Sequence, residues 1–254
     1  MRRLTFINFF TVLRCQVCDE IFKLGREGNG VLCDECKGKL ENEKQRSCEH
    51  CGLPATLCRC VPKNIMSAGC NTLIKTAFYD PDDEGVTERL ILNQKDCINK
   101  DLSSFISGNM VTQLRAYLIN SKINISSTVI TYTPRSRKAV NEKGFDQAEI
   151  LARLCAQKIG CKFFKLIKRT SSARQQKDLD GTERMENAKN SFALVDEVTP
   201  EASTVIVVDD IVTTGASLAI CVKLLKNKGF ENIICLAVAQ TNKKRYNSTS
   251  KIKK

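Results

Sequence analysis

Tryptophan is absent, histidine occurs once (His50), and aromatic residues make up only 6% of the 254-residue chain. With no other histidine, proton transfer away from residue 50 would fall to a carboxylate, a lysine or the substrate itself. Scarce aromatics argue against a surface that holds single strands by stacking bases on rings. No apolar run is long enough to span a bilayer. Met1 to Leu13 holds two arginines and then a mainly apolar stretch. It runs into Arg14 and a Cys-x-x-Cys with no small-residue cleavage site, which is not the pattern of a secretory leader. A cytoplasmic protein is expected. Its 42% hydrophobic and 27% charged residues suit a globular chain of one ordinary domain plus a smaller module.

Cysteine is plentiful and unevenly placed. Nine of the fourteen lie in the first 70 residues, eight of them in close pairs: Cys15 and Cys18, Cys33 and Cys36, Cys48 and Cys51, Cys58 and Cys60. A Cys-x2-Cys knuckle lets two thiolates reach one ion, and two knuckles complete a tetrahedral structural zinc site. Clustering of this kind suggests metal binding in a reducing compartment rather than disulfides. Fourteen residues separate Cys18 from Cys33 and six separate Cys51 from Cys58, so two successive sites are the simplest pairing. A cross-braced pairing fits the spacing too. Cys58-x-Cys60 is tighter than an ordinary knuckle, and His50 beside Cys51 reads as a bystander. Cys97, Cys155, Cys161, Cys221 and Cys235 read as small core residues.

The net charge of +12 is also uneven. Residues 243–254 carry six positive charges and no acid, so this tail could add sequence-independent affinity for nucleic acid. Residues 1–62 hold ten Lys/Arg and eight Asp/Glu. Eight thiolates and two zinc ions would shift that module by about −4, so it is not automatically a nucleic-acid finger.

The chain is organised around Val205-Ile206-Val207-Val208-Asp209-Asp210-Ile211-Val212-Thr213-Thr214-Gly215-Ala216-Ser217. Four β-branched residues predict a strand buried on both faces, ending near the acidic pair. An amphipathic helix is expected from Leu218. A turn between strand end and helix start offers free N–H groups and a favourable dipole to an anion such as phosphate. Gly215 allows close approach, and Thr213, Thr214 and Ser217 add hydroxyls. Two adjacent carboxylates beside a phosphate make sense as acceptors for sugar hydroxyls, which fits a ribose 5-phosphate.

Residues 207–217 resemble the 5-phosphoribosyl pyrophosphate (PRPP) signature of type I phosphoribosyltransferases. The resemblance implies that Asp209 and Asp210 hold the ribose and help stabilise positive charge on it as catalytic residues. It assigns the 5-phosphate to Thr213, Thr214, Gly215, Ala216 and Ser217. It also implies a pyrophosphate loop after Pro134, with Arg135, Ser136 and Arg137 aided by Mg²⁺. Strand–helix alternation from residue 127 onward predicts a parallel sheet with helices on both faces. Strands are expected at 127–133, 163–167 and 233–239, and Arg169–Asn190 reads as a polar lid or packing segment. Residues 63–125 carry no legible chemistry.

The cysteine module, then Pro134, Arg137 and Gly144-Phe145-Asp146-Gln147-Ala148, then Arg169, Gln176, Leu179, Arg184 and Asn187, then the acidic motif, resemble the ComF family. Here Lys143-Gly144-Phe145-Asp146 stands where Arg-Gly-Phe-Asn is commoner. The expected architecture is α/β, a type I phosphoribosyltransferase-like parallel sheet behind a small zinc-ribbon module. Its parts would be a double zinc ribbon at 1–62, a flanking segment at 63–125, the phosphoribosyltransferase-like domain at 126–242 and a basic tail at 243–254. The resemblance implies PRPP binding, Zn²⁺ and Mg²⁺, and a part in natural transformation with single-stranded DNA and competence proteins as partners. An active transferase and a non-catalytic PRPP sensor are the competing readings.

Overall fold

A computed structural model describes residues 14–21, 30–80, 85–170, 191–195 and 201–242. The basic tail and nearly all of the expected lid lie outside the described residues.

The centre is a five-stranded, wholly parallel sheet. In chain order its strands are β1 (Leu73–Tyr79), β2 (Thr128–Tyr132), β3 (Lys162–Phe163), β6 (Thr204–Val212) and β7 (Asn232–Thr241). Their spatial order is β1-β7-β6-β2-β3. A separate antiparallel pair, β4 (Ile167–Arg169) and β5 (Phe192–Leu194), lies beside it. The expected strand at 163–167 is therefore split. Phe163 ends the sheet edge, and Ile167 starts the small hairpin.

Seven helices are described: α1 (Asp34–Lys44), α2 (Lys63–Ser67), α3 (Val86–Asp96), α4 (Lys100–Asn120), α5 (Arg137–Lys143), α6 (Gln147–Ile159) and α7 (Ala216–Asn227). β6 feeds both faces of the sheet, as its β-branched run predicts. Ile206 and Val208 enter the core shared with α3, α4 and α6, while Val205, Val207 and Val212 join Leu218, Cys221, Val222 and Leu225 of α7. α6 buries Ala148, Leu151, Ala152, Cys155, Ala156 and Ile159, a single stripe at helical spacing. Each fully buried Leu of this kind contributes roughly 1.5–3 kcal/mol.

Residues 63–125 do more than connect. They supply edge strand β1, whose Leu73 to Tyr79 pair with Cys235 to Thr241 of β7, and three helices packed around the sheet. Cys155, Cys221 and Cys235 are buried as expected, whereas Cys97 is exposed at the end of α3.

Candidate functional site

β2 stops pairing at Tyr132, opposite Val208, but β7 continues to pair with β6 at Asp209↔Ala237, Ile211↔Ala239 and Val212↔Gln240. The acidic pair therefore lies within β6 rather than after it, as the longer β7 ladder carries the strand past the expected end. Both carboxylates stand at the carboxyl end of the sheet, where β2 has given way to Thr133 and Pro134. Ligands of open α/β sheets bind at this end.

The two acids are treated differently. Asp210 accepts a hydrogen bond and ion pair from Arg135 Nη2 at 3.0 Å, and Lys95 Nζ of α3 lies 3.6 Å away. Asp209 Oδ1 accepts from the Asp210 N–H at 2.9 Å. Burial, then the neighbouring Asp210 charge, push the Asp209 pKa well above the ordinary carboxylate value. Both cations answer Asp210, and the raised pKa of Asp209 favours its neutral form, so the site does not present a bare double negative charge to a phosphate.

The Thr213–Ser217 turn follows directly. Gly215 has a φ of 72°, in the left-handed region, and ends the turn as the N-cap of α7. A Cβ on Gly215 would sit 2.7 Å from Ile65 Cγ1 and 2.8 Å from Cδ1, so only glycine fits here. Asn64 Nδ2 donates to the Thr214 carbonyl at 3.0 Å, and the Ala216 N–H reaches Thr214 Oγ1 at 3.4 Å. Thr213 and Ala216 are exposed, and Ser217 is half-buried. The first-turn N–H groups of α7 have no partner inside their own helix, which makes this end an anion receptor.

The 135–148 segment, expected as a loop, contains α5. Ser136 caps it, accepting from the Ala139 N–H at 3.2 Å, and Arg137 is exposed in its first turn. Asp146 joins this segment to the site. Its carboxylate caps α6 at the Ala148 N–H (3.1 Å) and accepts from the Arg135 N–H at 2.8 Å. Burial raises its pKa, against the pull of those N–H donors. Asp146 thereby holds the backbone of the arginine that holds Asp210.

The eight paired cysteines gather as two groups, Cys15 with Cys18, Cys33 and Cys36, and Cys48 with Cys51, Cys58 and Cys60. The pairing is successive, not cross-braced. Within each group the sulfurs lie within 4.8 Å of one another, and Cys18 Sγ is 3.6 Å from Cys33 Sγ. A tetrahedral ion with metal–sulfur bonds near 2.3 Å needs sulfurs about 3.8 Å apart, so each group could hold one metal ion. His50 is in neither group.

Residues 140–254 match the family model described as the phosphoribosyl transferase domain. Over these residues the chain resembles phosphoribosyl transferase domains. Two cysteine clusters lie ahead of that region, the order of modules that the resemblance to the ComF family implies. It is 24% identical over 233 residues to the DNA utilization protein YhgH of Escherichia coli O6:H1, covering 89% of this chain and 96% of the relative. For YhgH of Salmonella typhimurium the identity is 23% over the same coverage. The adenine phosphoribosyltransferase of Saccharomyces cerevisiae, solved with an imino-altritol bisphosphate and adenine, aligns at 18% identity over 56% of this chain and 70% of that one, with a TM-score of 0.33.

Sequence reasoning missed Lys95, Asn64 and Ile65, three residues of the uninformative 63–125 segment that touch the phosphoribosyl transferase motif. No local signal marks them, because their role comes from packing alone. Asp146 was visible as part of a motif but without a role. Among the described residues no helix is long and apolar enough to cross a membrane.

Proposed function

We propose that the chain binds PRPP at the β6–α7 turn and that it serves the handling of DNA, with a zinc ion in each cysteine cluster. The observation that supports this most is the cation-balanced acidic pair, Asp209 and Asp210 with Arg135 and Lys95, standing beside an anion-receptive helix N-terminus. The 5-phosphate would take the N–H groups and hydroxyls of Thr213 to Ser217. The 2- and 3-hydroxyls of the ribose would take Asp209 and Asp210. Pyrophosphate would meet Arg135 and Ser136 at the start of α5, with Arg137 on the exposed side. Mg²⁺, when bound, would neutralise part of the pyrophosphate charge. The DNA-handling part rests on the name carried by the YhgH relatives.

Transfer of the ribosyl group is a second reading, favoured by one feature. A cleft of about 460 Å³ opens at the carboxyl ends of β1 and β7, lined by Val61, Pro62, Met66, Phe78, Gln240 and Thr241. Pro62 also faces Gly215. An acceptor there would attack C1 of the ribose as the bond from C1 to the pyrophosphate oxygen breaks. The transient positive charge on the ribose would be stabilised by the nearby carboxylates.

Calorimetric titration of PRPP with Mg²⁺ into zinc-loaded protein tests the binding claim. Saturable binding that is lost in an Asp209→Ala/Asp210→Ala double variant supports it. Absence of binding to folded, zinc-loaded protein would rule out PRPP binding and ribosyl transfer and leave DNA handling as the surviving reading.

A further inference from the structure

Lys75 has 0% exposure on β1, and it is the largest side chain so enclosed among the described residues. Its ammonium donates to the Cys58 carbonyl at 3.2 Å and the Cys60 carbonyl at 3.3 Å, and it stands 5.8 Å from the Phe78 ring centre. No carboxylate pairs with it among the described residues. A buried ammonium held by carbonyls alone costs several kcal/mol. The negative charge that could answer it belongs to the second cysteine cluster. Four thiolates around one divalent ion carry a net charge of about −2. Phe78 packs with Cys48, Ala55 and Cys58 of the same cluster.

The chain leaving that cluster leads straight to the phosphate turn. Cys60 is followed by Val61, by Pro62 against Gly215, and by α2, whose Ile65 is fully buried against Gly215 and whose Asn64 holds the Thr214 carbonyl. The carbonyls that Lys75 grips belong to the last two ligands before this connection.

We propose that Lys75 is a positioning residue: with the metal-loaded second cluster it forms one buried ionic unit that fixes Pro62–Ile65 and so shapes the Thr214–Gly215 turn. Zinc at this cluster and PRPP at the turn are then thermodynamically linked, each raising the affinity for the other by the same factor. This linkage rests on the PRPP reading, whereas the ionic unit does not.

The test uses the 254-residue chain and a Lys75→Met variant, with zinc affinity read by competition against a chromophoric chelator and PRPP affinity by calorimetry. Loss of a partner just outside the ligand shell typically costs about tenfold or more in metal affinity. The expected result is that one of two zinc ions is held about tenfold more weakly, that PRPP affinity falls, and that excess zinc restores it. Two zinc ions held as tightly as in the parent would overturn the ionic unit. A weakened zinc site with unchanged PRPP affinity would overturn the link to the turn. If the variant does not fold, the parent alone decides, since PRPP must raise the affinity for one zinc ion in the chelator competition and an unchanged affinity contradicts the linkage. Failure of the parent to bind PRPP would instead refute the ligand reading, and zinc affinity in the variant would still judge the ionic unit.

Discussion

Asp209 and Asp210 are neighbours in sequence with unlike surroundings. Asp210 has two cations within 4 Å, whereas Asp209 has a backbone N–H and the Asp210 charge beside it and resists ionisation. A carboxyl whose folded pKa is raised stabilises the fold while protonated. That contribution declines as pH climbs from the unfolded value near 4 through the raised folded value. Asp209→Asn keeps the shape without the charge. Its thermal midpoint should exceed that of the parent by roughly 2–4 °C, and the gap should widen as pH rises above about 4 in melts followed by circular dichroism. PRPP affinity should fall at least tenfold in the same variant, stability and binding moving in opposite directions. Lys95 matters to the same pair through Asp210. Lys95→Met should weaken PRPP several-fold by calorimetry while leaving the secondary structure unchanged.

At the scale of elements, the β6–α7 turn is built from both ends of the chain. Gly215→Ala would combine a positive φ with a Cβ clash against Ile65, costing about 2 kcal/mol, read as a lower denaturation midpoint. Adding Ile65→Ala should relieve the clash but not the φ strain, so recovery would be partial. α3 depends on the cysteine module in a comparable way. Glu43 of α1 accepts from the Val86 and Thr87 N–H groups at 2.7 and 2.9 Å and from the Thr87 hydroxyl at 2.7 Å, capping a helix that has no cap of its own. Glu43→Ala strands those buried donors and should cost about 3 kcal/mol. Because α3 carries Lys95, the change should also weaken PRPP binding. These elements show what was legible in the sequence. The β-branched run of β6, the acidic pair and Gly215 declare themselves locally, because each answers a constraint on its own stretch of backbone. The Cys-x2-Cys spacing likewise pointed to metal sites, though only the three-dimensional grouping chose successive pairing. Lys95, Ile65, Glu43 and Lys75 are ordinary surface or helix residues in sequence. They gain their meaning from partners that lie between 15 and 150 positions away.

At the scale of the molecule, the cysteine module braces the transferase-type sheet on both sides of the proposed ligand site. The first cluster leans on α3, where Arg89 reaches the Val17 carbonyl at 3.1 Å, and α3 leads to Lys95 and Asp210. The second leans on β1 through Lys75 and leads by α2 to Gly215. A module of this size has little core of its own and would depend on metal to fold. Its energetic role is therefore to hold two short elements against the turn. Diffraction from crystals of the zinc-loaded protein grown with PRPP and Mg²⁺ tests the central claim most directly. The 5-phosphate is expected within about 3 Å of N–H groups in the Thr213–Ser217 turn, with the ribose hydroxyls on Asp209 and Asp210. PRPP bound on another surface, or a phosphate in the turn with its ribose directed away from the acidic pair, would contradict it.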